Sequence, residues 1–349
     1  MSLISLKMKM IGEWHMQSKN KKKILITGVA GLIGNNISRY LLNDDYDVYG
    51  IDNLSGGYEE LIDKRVKFIK VDLLDSDSLT QIFNEIKPDY VLHFAAYAAE
   101  GLSPFIRNFN YKNNILCSVN IINQCVNHKV KKIIFTSSMA VYGHLPAPFI
   151  ESMTPCPADP YGISKYCVEL DLKQAYEQFG LKYAILRPHN VIGLYQNIWD
   201  KYRNVLGIWI REILNGNDIC IFGDGTQTRA FSDVKFMYDP IIKLLYNYDN
   251  EIFNVGSDKY YTINDAANIL VKIVNKYGYN PKIKYVEKRH EVLHAYSDHT
   301  KTKKLLNSND ETDLEKTMND MFIWAKDQPN RTVAKFNYEI ERNIYDSWK

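Results

Sequence analysis

The stretch KILITGVAGLIGNNISRYLLN, residues 23–43, decides the fold. Lys23 to Gly28 read as a short apolar strand, and ISRYLLN carries helical spacing. Between them the glycines fall at 28, 31 and 34, a GxxGxxG pattern. Each has a physical reason: a tight turn, close approach of a phosphate to backbone, and close packing of helix on strand. A phosphate placed there meets the free N–H groups and the positive dipole end of the helix. Strand, glycine turn and helix in that order predict a dinucleotide site.

Outward from this unit the chain alternates. DVYGIDN (Asp47 to Asn53) reads as the second strand, with Asp52 at its end. A carboxylate there can accept hydrogen bonds from an adenosine ribose and would repel a 2′-phosphate, which favours NAD over NADP. Further strands are expected at 66–75, 90–96, 132–138, 183–193, 252–256 and 283–287. Helices are expected at 76–86, 104–128, 161–179, 204–215, 239–248 and 263–278, with a closing helix beyond Thr312. The alternation predicts an α/β doubly wound parallel sheet, a Rossmann fold, with a smaller C-terminal substrate-binding lobe. Residues 1–20 read as a frayed extension and 21–190 as the NAD-binding part. Later segments near 230–256 return to it, and 191–349 form mainly the lobe. His93, inside an apolar strand, is expected to be packed rather than catalytic.

Composition narrows the class. The 349 residues carry a net charge of +2 and are 46% hydrophobic and 24% charged, so a real core is affordable and no nucleic-acid partner is implied. Cys117, Cys125, Cys156, Cys167 and Cys220 show neither CxxC nor metal spacing, so free thiols and no metal are expected. No apolar run is long enough to cross a bilayer. Lysines interrupt the apolar part of the N-terminus, which makes a poor signal peptide, so a cytoplasmic protein without a membrane partner is expected.

The chemistry lies in TSSMAVYG (136–143) and PYGISK (160–165). Tyr161 and Lys165 are four apart and share a helix face. A lysine ammonium at about 4 Å, with an effective dielectric near 20, favours a phenolate by roughly 4 kcal/mol. That corresponds to about three pKa units, which would make Tyr161 a usable base near neutrality. Ser138, at the end of a strand, could hold the same substrate hydroxyl.

These motifs, with the glycine turn, resemble the extended short-chain dehydrogenase/reductase family, in its NAD-dependent nucleotide-sugar epimerase and dehydratase branch. The resemblance spans about residues 21–306. It implies catalytic roles for Ser138, Tyr161 and Lys165. It implies an NAD site built from Gly28, Gly31, Leu32, Ile33, Gly34, Asp52, Asn53, Ser55, Gly56, Asp72, Leu73, Phe94, Ala95, Ala96, Asn113, Tyr161, Lys165 and Pro188. Ser138, Asn190, Asn204, Arg229 and Arg289 would bind the substrate, the arginines suiting a diphosphate. The helices near 104–128 and 161–179 would pair two subunits into a homodimer.

Two places depart from the family pattern: Phe236 stands where an aspartate is usual, and the spacing around Arg289 and Glu291 is altered by one residue. Ala295 falls where a small residue would leave room for an N-acetyl group. Dehydratases of the family carry an acidic pair where this chain has Met139 and Ala140, which can act neither as acid nor as base. The resemblance therefore implies an NAD-dependent C4 epimerase of a UDP-hexose, similar to UDP-glucose 4-epimerase. A C4 reductase, or an epimerase of a GDP- or CDP-sugar, stays open, as does a non-catalytic NAD-binding protein.

Overall fold

The computed structural model describes residues 21–331 and 337–348; the extension expected at 1–20 lies outside them. Seven parallel strands form the main sheet: β1 (Lys23–Thr27), β2 (Asp47–Asp52), β3 (Lys67–Lys70), β4 (Tyr90–His93), β5 (Lys132–Thr136), β6 (Tyr183–Pro188) and, late in the chain, β11 (Glu251–Val255). Their order is β11-β6-β5-β4-β1-β2-β3. The chain moves outward one way from β1 and then restarts at β4 on its other side. That reversal leaves a crevice beyond the carboxyl ends of β1 and β4, the usual ligand position in such sheets.

Both faces of the sheet are covered, so its strands are apolar on both sides. Along β1, Leu25 faces one core while Ile24 and Ile26 face the other. Helices α2 (Ser76–Ile86), α4 (Cys117–Asn127) and α5 (Pro160–Phe179) cover the first face, through residues such as Phe83, Ile121 and Leu172. The second face is covered by α1 (Leu32–Asn43), α7 (Tyr238–Tyr246) and α9 (Thr300–Leu306). A third core joins α6 (Val205–Leu214), α8 (Ile263–Asn275) and α10 (Leu314–Lys326) around Trp209, Leu270 and Phe322. Short strands complete this region. β7 (Val191–Ile192) pairs with β10 (Ser232–Asp233), and β8 (Ile219–Phe222) with β13 (Ile283–Val286). β9 (Thr228–Ala230) lies between β12 (Tyr260–Thr262) and β14 (His294–Ala295).

Several elements are shorter than their apolar runs suggest. β3 ends at Lys70 because aspartates turn the chain: Asp72 Oδ1 accepts from Leu74 N at 2.8 Å, and Asp75 caps α2 through Ser78 N. The helical stretch expected over 104–128 is broken into a short turn, α3 (Arg107–Tyr111), a wide π-type turn at Lys112–Leu116, and α4. His93 is fully buried between Thr27 Oγ1 (2.7 Å) and Ser118 Oγ (2.8 Å), as packing rather than catalysis requires. Among the described residues no helix is long and apolar enough to cross a membrane.

Helix α5 is locked to the sheet by charge. Glu169 (4% exposed) takes a two-pronged contact from Arg187 (2% exposed) on β6, Nε to Oε1 at 3.0 Å and Nη2 to Oε2 at 2.6 Å. Ser137 Oγ donates to the same carboxylate, and Arg187 Nη1 donates to Tyr142 Oη at 2.8 Å. Removing one member leaves a buried charge unpaired, which costs about 3–5 kcal/mol. Glu169→Ala is expected to lower unfolding free energy by that amount in urea titration, whereas joint replacement Glu169→Leu with Arg187→Met recovers most of it.

Candidate active site

α5 begins sharply. Asp159 Oδ1 accepts from Gly162 N at 2.9 Å, and Pro160 occupies the first helical position, where its missing N–H costs nothing. From that start Tyr161, Lys165 and Glu169 recur every four residues along one buried face. Gly162 allows the helix to press on the turn after β5: a Cβ there would lie 2.6 Å from the Ala140 carbonyl oxygen. This approach brings Ser138 beside Tyr161, close enough for its hydroxyl to act on the phenol. Ser138 Oγ also accepts from Ala140 N at 3.1 Å.

The lysine is anchored to the backbone. Lys165 Nζ donates to Thr136 O at 2.8 Å and sits 4.8 Å over the Phe135 ring, 5.9 Å from the centre of the Tyr161 ring. The Thr136 carbonyl thus holds the ammonium close to the Tyr161 ring. Burial then governs both groups. It pushes the Tyr161 phenol above its ordinary value, against the Ser138 hydroxyl. It brings Lys165 down to about 7, opposed by the Glu169 charge.

A cleft of about 980 Å³ runs across the carboxyl edge of the sheet. On the cofactor side Gly28, Gly31, Leu32, Ile33, Gly34 and Gly56 line it, with Phe94, Ala96 and Pro188. Gly28 has φ +72°, and a Cβ there would lie 2.7 Å from the Ala95 backbone. Gly31 caps α1 with no side-chain bond, and no acidic residue occupies the first turn. Its amides are thus presented to an anion, and the residues fit an NAD diphosphate. Asp52 stands behind the turn, Oδ2 accepting from Ala30 N at 3.0 Å and Oδ1 from Leu54 N at 2.8 Å.

Other expected cofactor residues support this wall without lining it. Asn53 Nδ2 donates to Asp72 Oδ2 at 3.1 Å, Ser55 N to Asn53 Oδ1, and Ala95 N to Thr27 Oγ1. Leu73 accepts Asn120 Nδ2 through its carbonyl. Asn113 is not on the wall: its amide turns back to Phe109 O at 2.9 Å, while the neighbouring Asn114 is buried against both backbone groups of Tyr97. The wide turn at 112–116 sets this phase.

The opposite wall carries Asn190, Asn204, Arg229 and Arg289. Arg229 Nη2 donates to Glu291 Oε2 at 2.8 Å, and Arg289 Nη2 lies 3.6 Å from the same oxygen. Arg289 also stacks 4.2 Å over Phe222, and its buried Nε has no partner. Asn204 caps α6, and Asn190 Nδ2 donates to Ala230 O. Ala295 is buried and packs with Met139, Val141 and Tyr142, of which Met139 lines the cleft.

Some cleft residues escaped sequence reading. Glu100 and Asp159 open on it near Tyr161, and burial raises the Asp159 carboxyl. Asp159 carried a readable signal, a cap residue before Pro160. Gln196 is 4% exposed, and neither of its amide atoms has a partner. The C-terminal segment returns to the cleft: Trp348 packs edge-on against Tyr202, and Glu339 accepts from Asn108 N and Phe109 N to cap α3. Only the tertiary fold reveals these.

Lys165 gives a pH signature. Its folded pKa lies below its unfolded value near 10.5, so the buried charge weakens the fold below about pH 7 and that cost disappears as pH rises toward 10.5. Stability therefore rises with pH across this window. Lys165→Met is expected to remove the dependence, its advantage over the parent shrinking by about 1.4 kcal/mol per pH unit between 7 and 10 in denaturant titrations.

Comparison with known proteins matches this geometry. The model of the NAD dependent epimerase/dehydratase family matches residues 24–256. A putative UDP-glucose 4-epimerase of Methanocaldococcus jannaschii is 34% identical over 314 residues, covering 88% of this chain and 100% of the relative. The crystal structure of UDP-glucose 4-epimerase from Thermotoga maritima with UDP-glucose has a TM-score of 0.82 at 31% identity, covering 87% of this chain and 98% of the other. The UDP-N-acetylglucosamine 4-epimerase of Methanobrevibacter ruminantium, in complex with UDP-N-acetylmuramic acid, has a TM-score of 0.80 at 34% identity, covering 88% and 99%. With its glycine turn, its Ser138–Tyr161–Lys165 cluster and these matches, the chain belongs to the NAD-dependent epimerase/dehydratase family.

Proposed function

We propose that this protein inverts C4 of a UDP-hexose, UDP-glucose/galactose or the N-acetyl pair, through a transient 4-keto sugar. The supporting observation is the meeting of Ser138 and Tyr161 midway along a cleft with a glycine turn at one side and the Arg229–Arg289 pair at the other. Bound NAD supplies the hydride acceptor, and its positively charged ring offsets part of the burial that disfavours a phenolate. Tyr161 takes the C4 hydroxyl proton while Ser138 holds the oxygen. Arg229 and Arg289 retain the diphosphate, which competes with Glu291 for their N–H groups. The keto sugar turns about that anchor and presents its other face, the hydride returns to C4 on that face, and Tyr161 returns the proton to the oxygen. Met139 and Ala140 are buried and offer no proton-transfer group at this turn.

Incubation with each UDP-hexose, followed by chromatography, is expected to give the C4 epimer with no net consumption of NADH. Tyr161→Phe is expected to lower kcat by about 10²–10⁴-fold while NAD remains bound. Absence of turnover on every UDP-hexose, or stoichiometric NADH consumption, would remove this reading.

We also infer a homodimer. Leu116 (50% exposed), Ile163 (42%) and Leu170 (48%) present an apolar face on the adjacent helical segments 107–127 and 160–179. Light scattering is expected to give twice the chain mass, and Leu116→Glu with Leu170→Glu is expected to give the monomer.

A further inference from the structure

Residues 196–204, between β7 and α6, fold back over the cofactor wall. Asn197 organises them: its Oδ1 accepts from Trp199 N (2.9 Å) and Asp200 N (3.2 Å), while its Nδ2 donates to Gly56 O at 3.0 Å, in the loop that follows Asp52. Asp200 in turn accepts from Tyr97 Oη at 3.2 Å and lies 2.9 Å from Arg203 Nε. The Arg203 guanidinium stacks 4.5 Å over the Tyr97 ring. These contacts aim it at Gly56, where a Cβ would lie 2.4 Å from Nη2 and 2.8 Å from Nη1. Any side chain at position 56 would therefore displace the guanidinium. Its positive charge reaches both Asp52 and Tyr161, at the two ends of the path a dinucleotide would follow.

We propose that Arg203 grips the diphosphate of the bound dinucleotide, so that the segment carrying the substrate wall also straps the cofactor into the cleft. The glycine turn presents backbone amides to that diphosphate, but residues 28–36 contain no lysine or arginine. The turn itself supplies no cation, and Arg203 lines the cleft beside the ribose-side loop. A planar fork can pair with two phosphate oxygens at once. The substrate's diphosphate has a separate pair, Arg229 and Arg289, held by Glu291 on the other wall. Lys201, two residues before Arg203, is turned instead to the Trp348 carbonyl. The assignment does not depend on which sugar is turned over.

The test is binding rather than turnover. The parent enzyme and the Arg203→Ala and Arg203→Lys variants are stripped of nucleotide, then titrated calorimetrically with NAD, ADP-ribose, adenosine and UDP. Arg203→Ala is expected to weaken NAD and ADP-ribose by roughly 10- to 100-fold, the range of a lost charge-assisted contact. Adenosine and UDP, which lack the cofactor's diphosphate, keep their affinities, and Arg203→Lys recovers part of the loss. Unchanged NAD affinity in Arg203→Ala overturns the proposal. A loss confined to UDP also overturns it and assigns the arginine to the substrate. Should Arg203→Ala fail to fold, Asp200→Asn, which keeps the cation but releases its orientation, carries the test: weaker NAD with unchanged UDP supports the strap, and unchanged NAD sinks it.

Discussion

The buried pair between Glu169 and Arg187 is the contact on which the site's geometry rests. Two charges in an apolar interior are tolerated only when every hydrogen-bonding position is satisfied. Here the fork of Arg187, the hydroxyl of Ser137 and the phenol of Tyr142 do so. Glu169 lies on α5, Arg187 on β6, and Ser137 and Tyr142 flank the turn after β5. One carboxylate thereby fixes the helix in rotation and in height against two strands. Since Lys165 and Tyr161 lie one and two turns earlier on the same face, their positions follow. The same network reaches β11, through Tyr142 Oη donating to Asn254 Oδ1 at 2.7 Å.

Electrostatics in the cleft are set by enclosure more than by pairwise attraction. A lysine ammonium beside a tyrosine favours the phenolate in proportion to inverse distance, but both groups here are nearly fully buried, and desolvation disfavours each charged form. The outcome is a phenol held protonated and an amine near neutrality, joined to the backbone at Thr136. The Ser138 hydroxyl works in the other direction, favouring the phenolate. A phenolate at Tyr161 would thus need a positive charge supplied next to it.

The two walls of the cleft are built in two ways. At the glycine turn the helix end presents bare amides, with the backbone packed close. Elsewhere arginines lie beside carboxylates: Arg229 and Arg289 beside Glu291, and Arg203 beside Asp200. Such carboxylates keep long side chains from wandering.

The order of strands and helices, the glycine turn and the Tyr161–Lys165 pair were legible in the sequence, because they depend on local periodicity and on spacings within one turn. A strand of Ile24–Leu25–Ile26 type and a glycine at each third position leave few local alternatives. The ends of β3 and the break at 112–116 were less legible, since an apolar run does not say where side-chain hydrogen bonds will turn it. What only the tertiary structure decided were contacts between distant segments. Asn114 rather than Asn113 faces inward because the helix widens there. Ala295 packs with Met139 because β14 pairs beside β9. Lys165 bonds a carbonyl because β5 ends beneath it, and Arg203 reaches Gly56 across nearly 150 residues because Asn197 and Asp200 fold its segment back. Such pairings carry no periodicity, so composition and spacing leave them open until the chain closes on itself.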